Sequence, residues 1–216
     1  MEKTMKILKF ICAIALLTTM VNAANIVVNH SFNEGLPAPN EWAPAEWNQD
    51  APGGTMGRIF NDSSDAGTNC QYLAQPSITA GNHSQLELGL INGVMPVGAH
   101  TKVYWSAAYK VLSSPAPAGG ALIQIRAWDA GGAFLGQDQF YPSAGGTLDT
   151  WINEPAREWT FPVGTDHLDV LADLGSWPWS EMSGTLYVDN FNIDFIPEPT
   201  LLLGGLILGL AFLRRK

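Results

Sequence analysis

The sequence predicts an all-β protein built as a β-sandwich, and three observations support this prediction. Several segments alternate apolar and polar residues with the period of two that is typical of strands. Clusters of Gly, Pro, Asn and Asp separate these segments, as turns require. No segment sustains the helical period of an amphipathic helix. Short strands separated by turns in this way are typical of sandwiches.

The strand faces are clearest in two segments. In 103–109, Val103, Trp105 and Ala107 share one face, which predicts that this face is turned toward the core. In 121–128, the apolar residues Ile123, Ile125 and Ala127 alternate with a second set made up of Leu122, Gln124, Arg126 and Trp128. We therefore expect that second set to lie on the opposite side of the same strand.

The remaining elements follow from the turn residues. Asp129-Ala-Gly-Gly132 predicts a hairpin turn that leads into 133–135. Further strands are predicted at 25–28, 159–163, 167–174 and 184–195. We interpret the Pro-rich segment 113–120 as a hairpin loop between the strands 103–109 and 121–128, because it is too short to divide domains. Residues 24–195 are thus expected to form one sandwich domain with a sizeable core.

The N-terminus has the three parts of an export signal. Lys3, Lys6 and Lys9 form a basic region, and an apolar stretch follows at 10–20. Val21 and Ala23 supply small residues at the −3 and −1 positions of a cleavage site after Ala23. Residues 1–23 are therefore predicted to be a signal peptide.

The C-terminus combines a Pro-framed acid, an apolar run and a basic end. The parts are Pro197-Glu198-Pro199, the run 201–213, and Arg214, Arg215 and Lys216. As a helix, a run of about 13 residues would be roughly 20 Å long, whereas a bilayer core is about 30 Å thick. The run is marginal as a permanent span, and the positive-inside rule would hold its basic end on the cytoplasmic side.

This order of parts in 196–216 resembles the PEP-CTERM sorting signal of Gram-negative bacteria that make exopolysaccharide. The resemblance implies a transient stay in the inner membrane and processing by an exosortase-type enzyme, with a mature C-terminus near Glu198. It also implies a final location at the cell surface or in the extracellular matrix. An ordinary tail anchor is the alternative.

The exported part is strongly acidic. Between residues 24 and 199 there are five Lys or Arg residues and nineteen Asp or Glu residues, a net charge of −14. Such a domain, with no basic stripe, is not expected to bind nucleic acid, whereas its charge suits contact with divalent cations. Cys70 is the single cysteine of the exported part, so an intrachain disulfide is excluded and a small buried side chain is expected.

Two motifs at opposite ends of the domain belong together. The first is Asn-His-Ser-Phe-Asn-Glu-Gly at 29–35, and the second contains Val-Asp-Asn at 188–190. With Asp149-Thr-Trp151 between them, they resemble the jelly-roll carbohydrate-binding modules of the cellulose- and xylan-binding type, which have the galactose-binding-like architecture. The resemblance implies a jelly-roll β-sandwich over 25–195 and non-catalytic binding of polysaccharide.

The same resemblance implies a structural calcium ion between the first and last strands. Asp189 matches the ligand position of the last strand. In the first motif the family has Glu directly after Phe, but here Asn33 stands in that place and Glu34 follows one residue later. Either the amide oxygen of Asn33 or a shifted Glu34 would complete the oxygen ligands that calcium prefers. The alternative is that these residues only stabilise turns.

Aromatic side chains are the usual contacts for sugar rings. We predict ligand-binding roles for tryptophans in loop-like, Pro-flanked segments; they are Trp42, Trp47, Trp177 and Trp179. Pro178 lacks the donor that a central strand needs. The alternative is that these indoles fill the ends of the sandwich. The other tryptophans considered, Trp105, Trp151 and Trp159, lie in strand-like segments and are expected in the core.

A second ligand-binding candidate is the face of the strand 121–128 that carries Arg126 and Trp128 beside Gln124. On a concave sheet these side chains would form a polar and aromatic platform for a glycan, whereas otherwise they would form an ordinary solvent-facing surface.

Three functions remain open at this stage. The favoured one is an exported, surface-sorted protein that binds polysaccharide without catalysis. The second is a structural matrix or envelope protein that binds other proteins or itself. The third is a polysaccharide hydrolase or lyase, for which only the carboxylate pair Glu154 and Glu158 argues. We expect no catalytic residue, and therefore not an enzyme.

Overall fold

The computed structural model describes residues 47–50, 53–59, 62–64, 69–78, 82–88, 95–177 and 180–196. These residues form strands, turns and loops, and no helix that could cross a membrane occurs among them. The signal peptide, the predicted strand at 25–28, the first motif at 29–35 and the tail at 197–216 lie outside the described residues.

The described residues contain thirteen strands. In chain order they are β1 (Trp47–Asp50), β2 (Thr55–Ile59), β3 (Cys70–Gln75), β4 (His83–Leu88), β5 (Met95–Pro96), β6 (Lys102–Val111), β7 (Ala118–Gly120), β8 (Leu122–Trp128), β9 (Phe134–Phe140), β10 (Ile152–Asn153), β11 (Arg157–Thr160), β12 (His167–Trp177) and β13 (Ser180–Phe195).

The strands form two antiparallel sheets that pack face to face as a jelly-roll β-sandwich. Sheet A has the order β1-β4-β12-β8-β9, and β5 continues the line of β4 along β12. Sheet B has the order β2-β3-β13-β6, and both β10 and β11 pair with the far edge of β6. The β12–β13 hairpin joins the two sheets, and β7 pairs with β13 beside it. The all-β sandwich predicted from the sequence is confirmed.

One hydrophobic core lies between the sheets, and the alternation predicted for two strands decides which residues enter it. Val103, Trp105 and Ala107 of β6 are in the core from sheet B, and Ile123, Ile125 and Ala127 of β8 are in it from sheet A. In β12 the even-numbered apolar residues from Leu168 to Leu174 are also in the core. The odd-numbered residues of β12 therefore lie on the outer side of sheet A.

The predicted turn at 129–132 is confirmed as the hairpin between β8 and β9. The Asp129 carboxylate accepts hydrogen bonds from the amides of Gly131 and Ala133, both at 2.8 Å. Gly132 has a φ of 80°, which favours glycine because it has no Cβ. This local chemistry explains why a turn could be predicted here without any tertiary information.

The interpretation of 113–120 as a hairpin loop is wrong. The strands that it joins lie in different sheets, because β6 pairs with β13 while β8 pairs with β12 and β9. The segment therefore crosses from one sheet to the other, and its residues Ala118–Gly120 form β7 along the end of β13. Pairing partners are set by packing between distant segments, which the local sequence does not encode.

The three tryptophans expected in the core have different environments. Trp105 is fully buried in the core, as predicted. Trp159 is half-buried and packs against the core. Trp151 is half-buried on the outer side of sheet B, where its indole N–H donates to Asp62 Oδ1 at 3.0 Å and its ring lies 5.1 Å from the Lys110 ammonium. The core assignment of Trp151 is therefore wrong, because a polar partner holds its ring on the other side of the sheet.

Candidate functional site

The outer side of sheet A carries a band of polar and aromatic side chains, here called the polar face. Strand alternation places its members together, since their neighbours in sequence point into the core. The polar face consists of Glu87, Gln124, Arg126, Trp128, Phe134, Gln137, Gln139, Tyr141, Asp169 and Asp173.

The register between strands puts opposite charges side by side at the centre of this face. Arg126 of β8 lies opposite Asp169 of β12. Glu87 of β4 lies opposite Leu171, on the far side of β12. Because residues two apart on a strand share a face, the Arg126 side chain can reach both carboxylates.

Arg126 makes a bidentate ion pair with Asp169. Its Nε and Nη2 atoms donate to the two carboxylate oxygens at 2.7 Å each, and Nη2 also donates to Glu87 Oε1. The Trp128 indole N–H donates to Asp169 Oδ2 at 2.9 Å, and the guanidinium carbon lies 5.2 Å from the centre of the Trp128 ring. The network thus fixes both the guanidinium and the indole in one arrangement.

This network is buried rather than solvated. The Asp169 side chain is 0% exposed, that of Glu87 is 3% exposed and that of Arg126 is 13% exposed. Burial raises the pKa of the Asp169 carboxyl, while the hydrogen bonds and charge of Arg126 act in the opposite direction. The centre of the face is therefore not the ordinary solvent-facing surface that was the alternative.

More accessible side chains border the buried network. Gln137 lies opposite Arg126 and Gln139 lies opposite Gln124. The amide of Gln137 donates to Gln139 Oε1 at 2.5 Å, and the Gln139 amide in turn donates to the hydroxyl of Tyr141. This row offers donors and acceptors of the kind that sugar hydroxyls need.

Aromatic rings stand at both ends of that row. The Trp128 and Phe134 rings meet edge to face with centroids 5.5 Å apart, and Phe134 is 51% exposed. Tyr141, at the other end, is 52% exposed. The contact between the Trp128 and Phe134 rings depends on a β-bulge in β9. The extra residue Leu135, between Phe134 and Gly136, shifts Phe134 to the outer side of the sheet. The polar face is thus flanked by rings on which pyranoses can stack.

Within the described residues, the side chain of Gln124 carries a buried acceptor of the polar face that remains unsatisfied. The side chain is 3% exposed, and its Oε1 atom has no hydrogen-bond partner. Unsatisfied buried polar atoms are uncommon and destabilising. A ligand hydroxyl or a water molecule would satisfy this oxygen.

The loop tryptophans predicted as ligand contacts are only partly placed. Trp42 and Trp179 lie outside the described residues. Only the backbone of the other two is described: Trp47 begins β1, and Trp177 ends β12 opposite Ser180. Both belong to strands rather than to loops, which corrects that part of the prediction, because Pro178 follows the strand instead of interrupting it. Their roles as ligand contacts stay predictions.

The candidate calcium ligand Asp189 is fully buried and holds a loop in place. Its Oδ2 atom accepts hydrogen bonds from the amide and the hydroxyl of Ser64, both at 2.9 Å. Its Oδ1 atom accepts the Asn190 amide at 2.8 Å. These bonds join β13 to the segment 62–64.

Of the three candidate calcium ligands, the described residues include only Asp189. Among the described residues there is no group of three or more His, Cys, Asp or Glu side chains that could hold a metal ion. Asn33 and Glu34 lie outside the described residues. Calcium binding by Asp189 therefore stays a prediction that rests on the resemblance.

Calcium removal tests that prediction directly. If calcium bridges Asp189 to the first motif, a chelator should lower the melting temperature of the protein, since a ligand at a hundredfold excess over its Kd stabilises by about 2.7 kcal/mol. The Asp189→Asn variant should melt at the same temperature with and without chelator, while Asp194→Asn on the same strand should respond like the unaltered protein. Unchanged melting in chelator, with no calcium in the purified protein, would rule out the ion.

The two carboxylates of the enzyme hypothesis have different environments. Glu158 Oε1 accepts the Lys102 ammonium at 2.9 Å, and Glu158 is exposed on the outer side of sheet B. Glu154 lines a separate cavity beside Ala107. The expectation that the protein is not an enzyme stays a prediction.

Sequence reasoning found Arg126 and Trp128 but missed the carboxylates that hold them. The sequence of β12 could have indicated them, because Asp169 and Asp173 occupy outward positions between buried apolar residues. Glu87 likewise lies next to the buried Leu86 in β4. An acid in an alternating strand marks its outer face, but which basic residue lies opposite depends on strand pairing.

Comparison with solved structures supports the fold. No family model and no curated protein sequence matches the chain. The CBM22-1 xylan-binding domain of Paenibacillus barcinonensis Xyn10C has a TM-score of 0.51 at 14% identity, covering 82% of this chain and 97% of that one. A cyclase from Fischerella sp. TAU, solved in complex with 4-(1H-indol-3-yl)butan-2-one, has a TM-score of 0.56 at 14% identity, with 81% and 98% covered.

The enzymatically active domain of bacteriophage CBA120 tailspike protein 4 also resembles the chain, with a TM-score of 0.53 at 16% identity. This match covers 80% of the present chain but only 21% of the tailspike chain. At such identities the similarities show a shared fold. Because the neighbours include a binding domain, a cyclase and part of an active tailspike, the function must be argued from the site.

Proposed function

We propose that this protein is a non-catalytic polysaccharide-binding protein whose glycan site is the polar face of sheet A. The observation that carries the proposal is the row Gln137–Gln139–Tyr141 beside a buried Arg126–Asp169 ion pair, with exposed rings at both ends. The similarity of the fold to a xylan-binding domain supports the same function.

Two groups of residues have different roles in this proposal. The glycan contacts are the accessible side chains, namely Trp128, Phe134, Gln137, Gln139 and Tyr141. Arg126, Asp169 and Glu87 are positioning residues. Both carboxylates are buried, Arg126 is 13% exposed, and their hydrogen bonds orient the Trp128 indole. A platform fixed before binding loses less side-chain entropy when the sugar arrives.

The charge of the face selects a class of polysaccharide. Its one guanidinium is paired with two carboxylates, and Asp173 adds a third carboxylate on the same side of β12. The exported part as a whole is also strongly acidic. A uronate or sulfate polymer would be repelled, so the proposed ligand is a neutral polysaccharide.

Affinity electrophoresis in gels containing soluble xylan or polygalacturonate tests this function. We expect retardation by xylan and none by the anionic polymer. The Tyr141→Ala change should weaken retention about fivefold, since one aromatic contact contributes about 1 kcal/mol. Trp128→Ala should weaken it more.

Matched controls separate binding from folding. Tyr104→Ala removes a tyrosine of similar exposure, 44% against 52% for Tyr141, from the outer side of sheet B and should leave retention unchanged. Unchanged melting temperatures would show that Tyr141→Ala keeps the fold. Absence of retardation by any neutral polysaccharide would instead favour a structural matrix protein.

The location of the protein is proposed from its terminal sequences. The signal peptide at 1–23 and the tail with Pro197-Glu198-Pro199 imply export, passage through the inner membrane and release at the surface by an exosortase-type enzyme. A polysaccharide-binding domain would then contact the cell's own extracellular matrix.

A further inference from the structure

We propose a second binding site, on the opposite sheet from the polar face, that accommodates a single neutral sugar unit. It is a cavity of about 250 Å³ on sheet B, here called the β6 cavity, and its polar lining consists of Ser106, Asn153, Glu154, Asn190 and Asn192. Ala107 and Ala108 form its apolar part. The inference does not depend on the proposed function of the polar face.

The cavity exists because pairing fails on both sides of β6 at the same level. On one side, the ladder with β13 shifts register between Asp189 and Asn192. Asn190 has a φ of 47°, a left-handed conformation that asparagine tolerates better than most residues. The bulge carries the β13 backbone away from regular pairing with β6 beside Ser106.

On the other side of β6, pairing passes from β10 to β11 with a gap. Asn153 is the last residue of β10 and pairs with Ala108, whereas β11 begins at Arg157, which pairs with Trp105. Within the gap the Glu154 amide donates to the Ala107 carbonyl at 3.1 Å, and Pro155 has no amide to donate. The bulge in β13 and the gap between β10 and β11 thus lie on the two sides of Ser106 and Ala107. The side chains of these two residues are small, which leaves open space.

Four of the polar side chains that line the cavity, those of Ser106, Asn153, Glu154 and Asn192, have unused hydrogen-bonding capacity. Within the described residues, the Ser106 hydroxyl, the Asn153 amide and the Glu154 carboxylate make no side-chain hydrogen bond. The Asn192 amide nitrogen donates to Asp194 Oδ2 at 2.9 Å, while its oxygen accepts no bond from that part of the chain. All but Asn153 are half-buried, so their groups lie in a recess rather than on an open surface.

The chemistry and size of the cavity suit a sugar. Neighbouring hydroxyls of a pyranose both donate and accept hydrogen bonds. An asparagine side chain can bind both, because its amide nitrogen donates and its amide oxygen accepts. A volume of 250 Å³ equals the space of about eight water molecules at about 30 Å³ each, more than a bare metal ion needs. The single carboxylate favours a neutral sugar over an acidic one.

Ligand-observed NMR on the full-length protein tests the proposal, using saturation transfer to methyl β-D-xylopyranoside and methyl β-D-glucopyranoside at millimolar concentration. We expect transfer to at least one glycoside. Asn153→Ala and Asn192→Ala should each raise its Kd about fivefold, as expected for the loss of roughly 1 kcal/mol of hydrogen bonding. Glu154→Gln should change the Kd less than twofold, because an amide oxygen still accepts.

The controls separate this site from the polar face. Tyr141→Ala and Gln137→Ala should leave binding of the monosaccharide glycosides to the β6 cavity unchanged. Transfer that is lost only in those two variants would overturn the second site while leaving the proposed function intact. Lack of transfer from the unaltered protein would also overturn it. A third result would also overturn it, namely that calcium chloride alone raises the melting temperature of the unaltered protein but not that of Glu154→Gln. The cavity would then hold a cation.

Discussion

Replacing Arg126 with methionine is expected to lower the free energy of unfolding by about 3–5 kcal/mol, because it leaves buried carboxylates without their counter-charge. Asp169 is 0% exposed and Glu87 is 3% exposed, so water cannot take the place of the guanidinium. For a domain of this size the change corresponds to a fall of roughly 6–20 °C in melting temperature. Thermal and urea unfolding of the variant measure it.

A triple variant shows whether charge is the cause. Arg126→Met combined with Glu87→Gln and Asp169→Asn removes all three charges, and we expect it to recover at least half of the lost stability. Lys102→Met is the matched control, because it breaks an exposed ion pair. The side chain of Lys102 is 43% exposed and that of its partner Glu158 is 45% exposed. That change should cost less than about 1 kcal/mol. Similar losses in the Lys102 and Arg126 variants would contradict a buried network.

Replacing Trp105 with alanine is expected to be as destabilising, at about 3–5 kcal/mol, since it removes the largest fully buried side chain of the core. The indole stacks on Phe140 with ring centroids 5.4 Å apart. Its N–H donates to Asp138 Oδ2 at 2.8 Å, and the same carboxylate is held by Arg157 at 2.9 Å. Trp105 therefore ties sheet B to β9 of sheet A through both packing and a hydrogen bond.

Two further variants separate these contributions. Trp105→Phe keeps a ring against Phe140 but loses the N–H, and because Arg157 still pairs with Asp138 the loss should be only about 1–2 kcal/mol. Tyr104→Ala, one residue away on the same strand, changes a side chain that is 44% exposed and should alter stability by about 0.5 kcal/mol. A larger loss for Tyr104→Ala than for Trp105→Ala would mean that β6 presents its other face to the core.

The sequence did not reveal every strand. Segments β3 and β4 were missed because polar residues occupy inward positions that alternation expects to be apolar. Gln71 and Gln75 share the side of β3 that carries the core residue Leu73, and Gln75 donates to the Ser84 hydroxyl at 3.1 Å. The bond from Gln75 joins β3 to β4, so an inward polar residue of this kind fits the pattern only once the strands are paired.

The sequence by itself determined the fold class, the turn at 129–132, the strand that became β12, and the alternating faces of β6 and β8. These features follow from a side-chain period of two and from local turn chemistry, which need no knowledge of distant residues. The outward position of Arg126 and Trp128 was determined in the same way.

Only the tertiary structure decided what Arg126 and Trp128 contact. Strand pairing set Arg126 against Asp169, the bulge at Leu135 brought Phe134 beside Trp128, and the register shift in β13 opened the β6 cavity. The same pairing sent 113–120 from one sheet to the other. Partners and registers are chosen by the packing of the whole core, since slipping one strand by a residue would turn its apolar side chains outward.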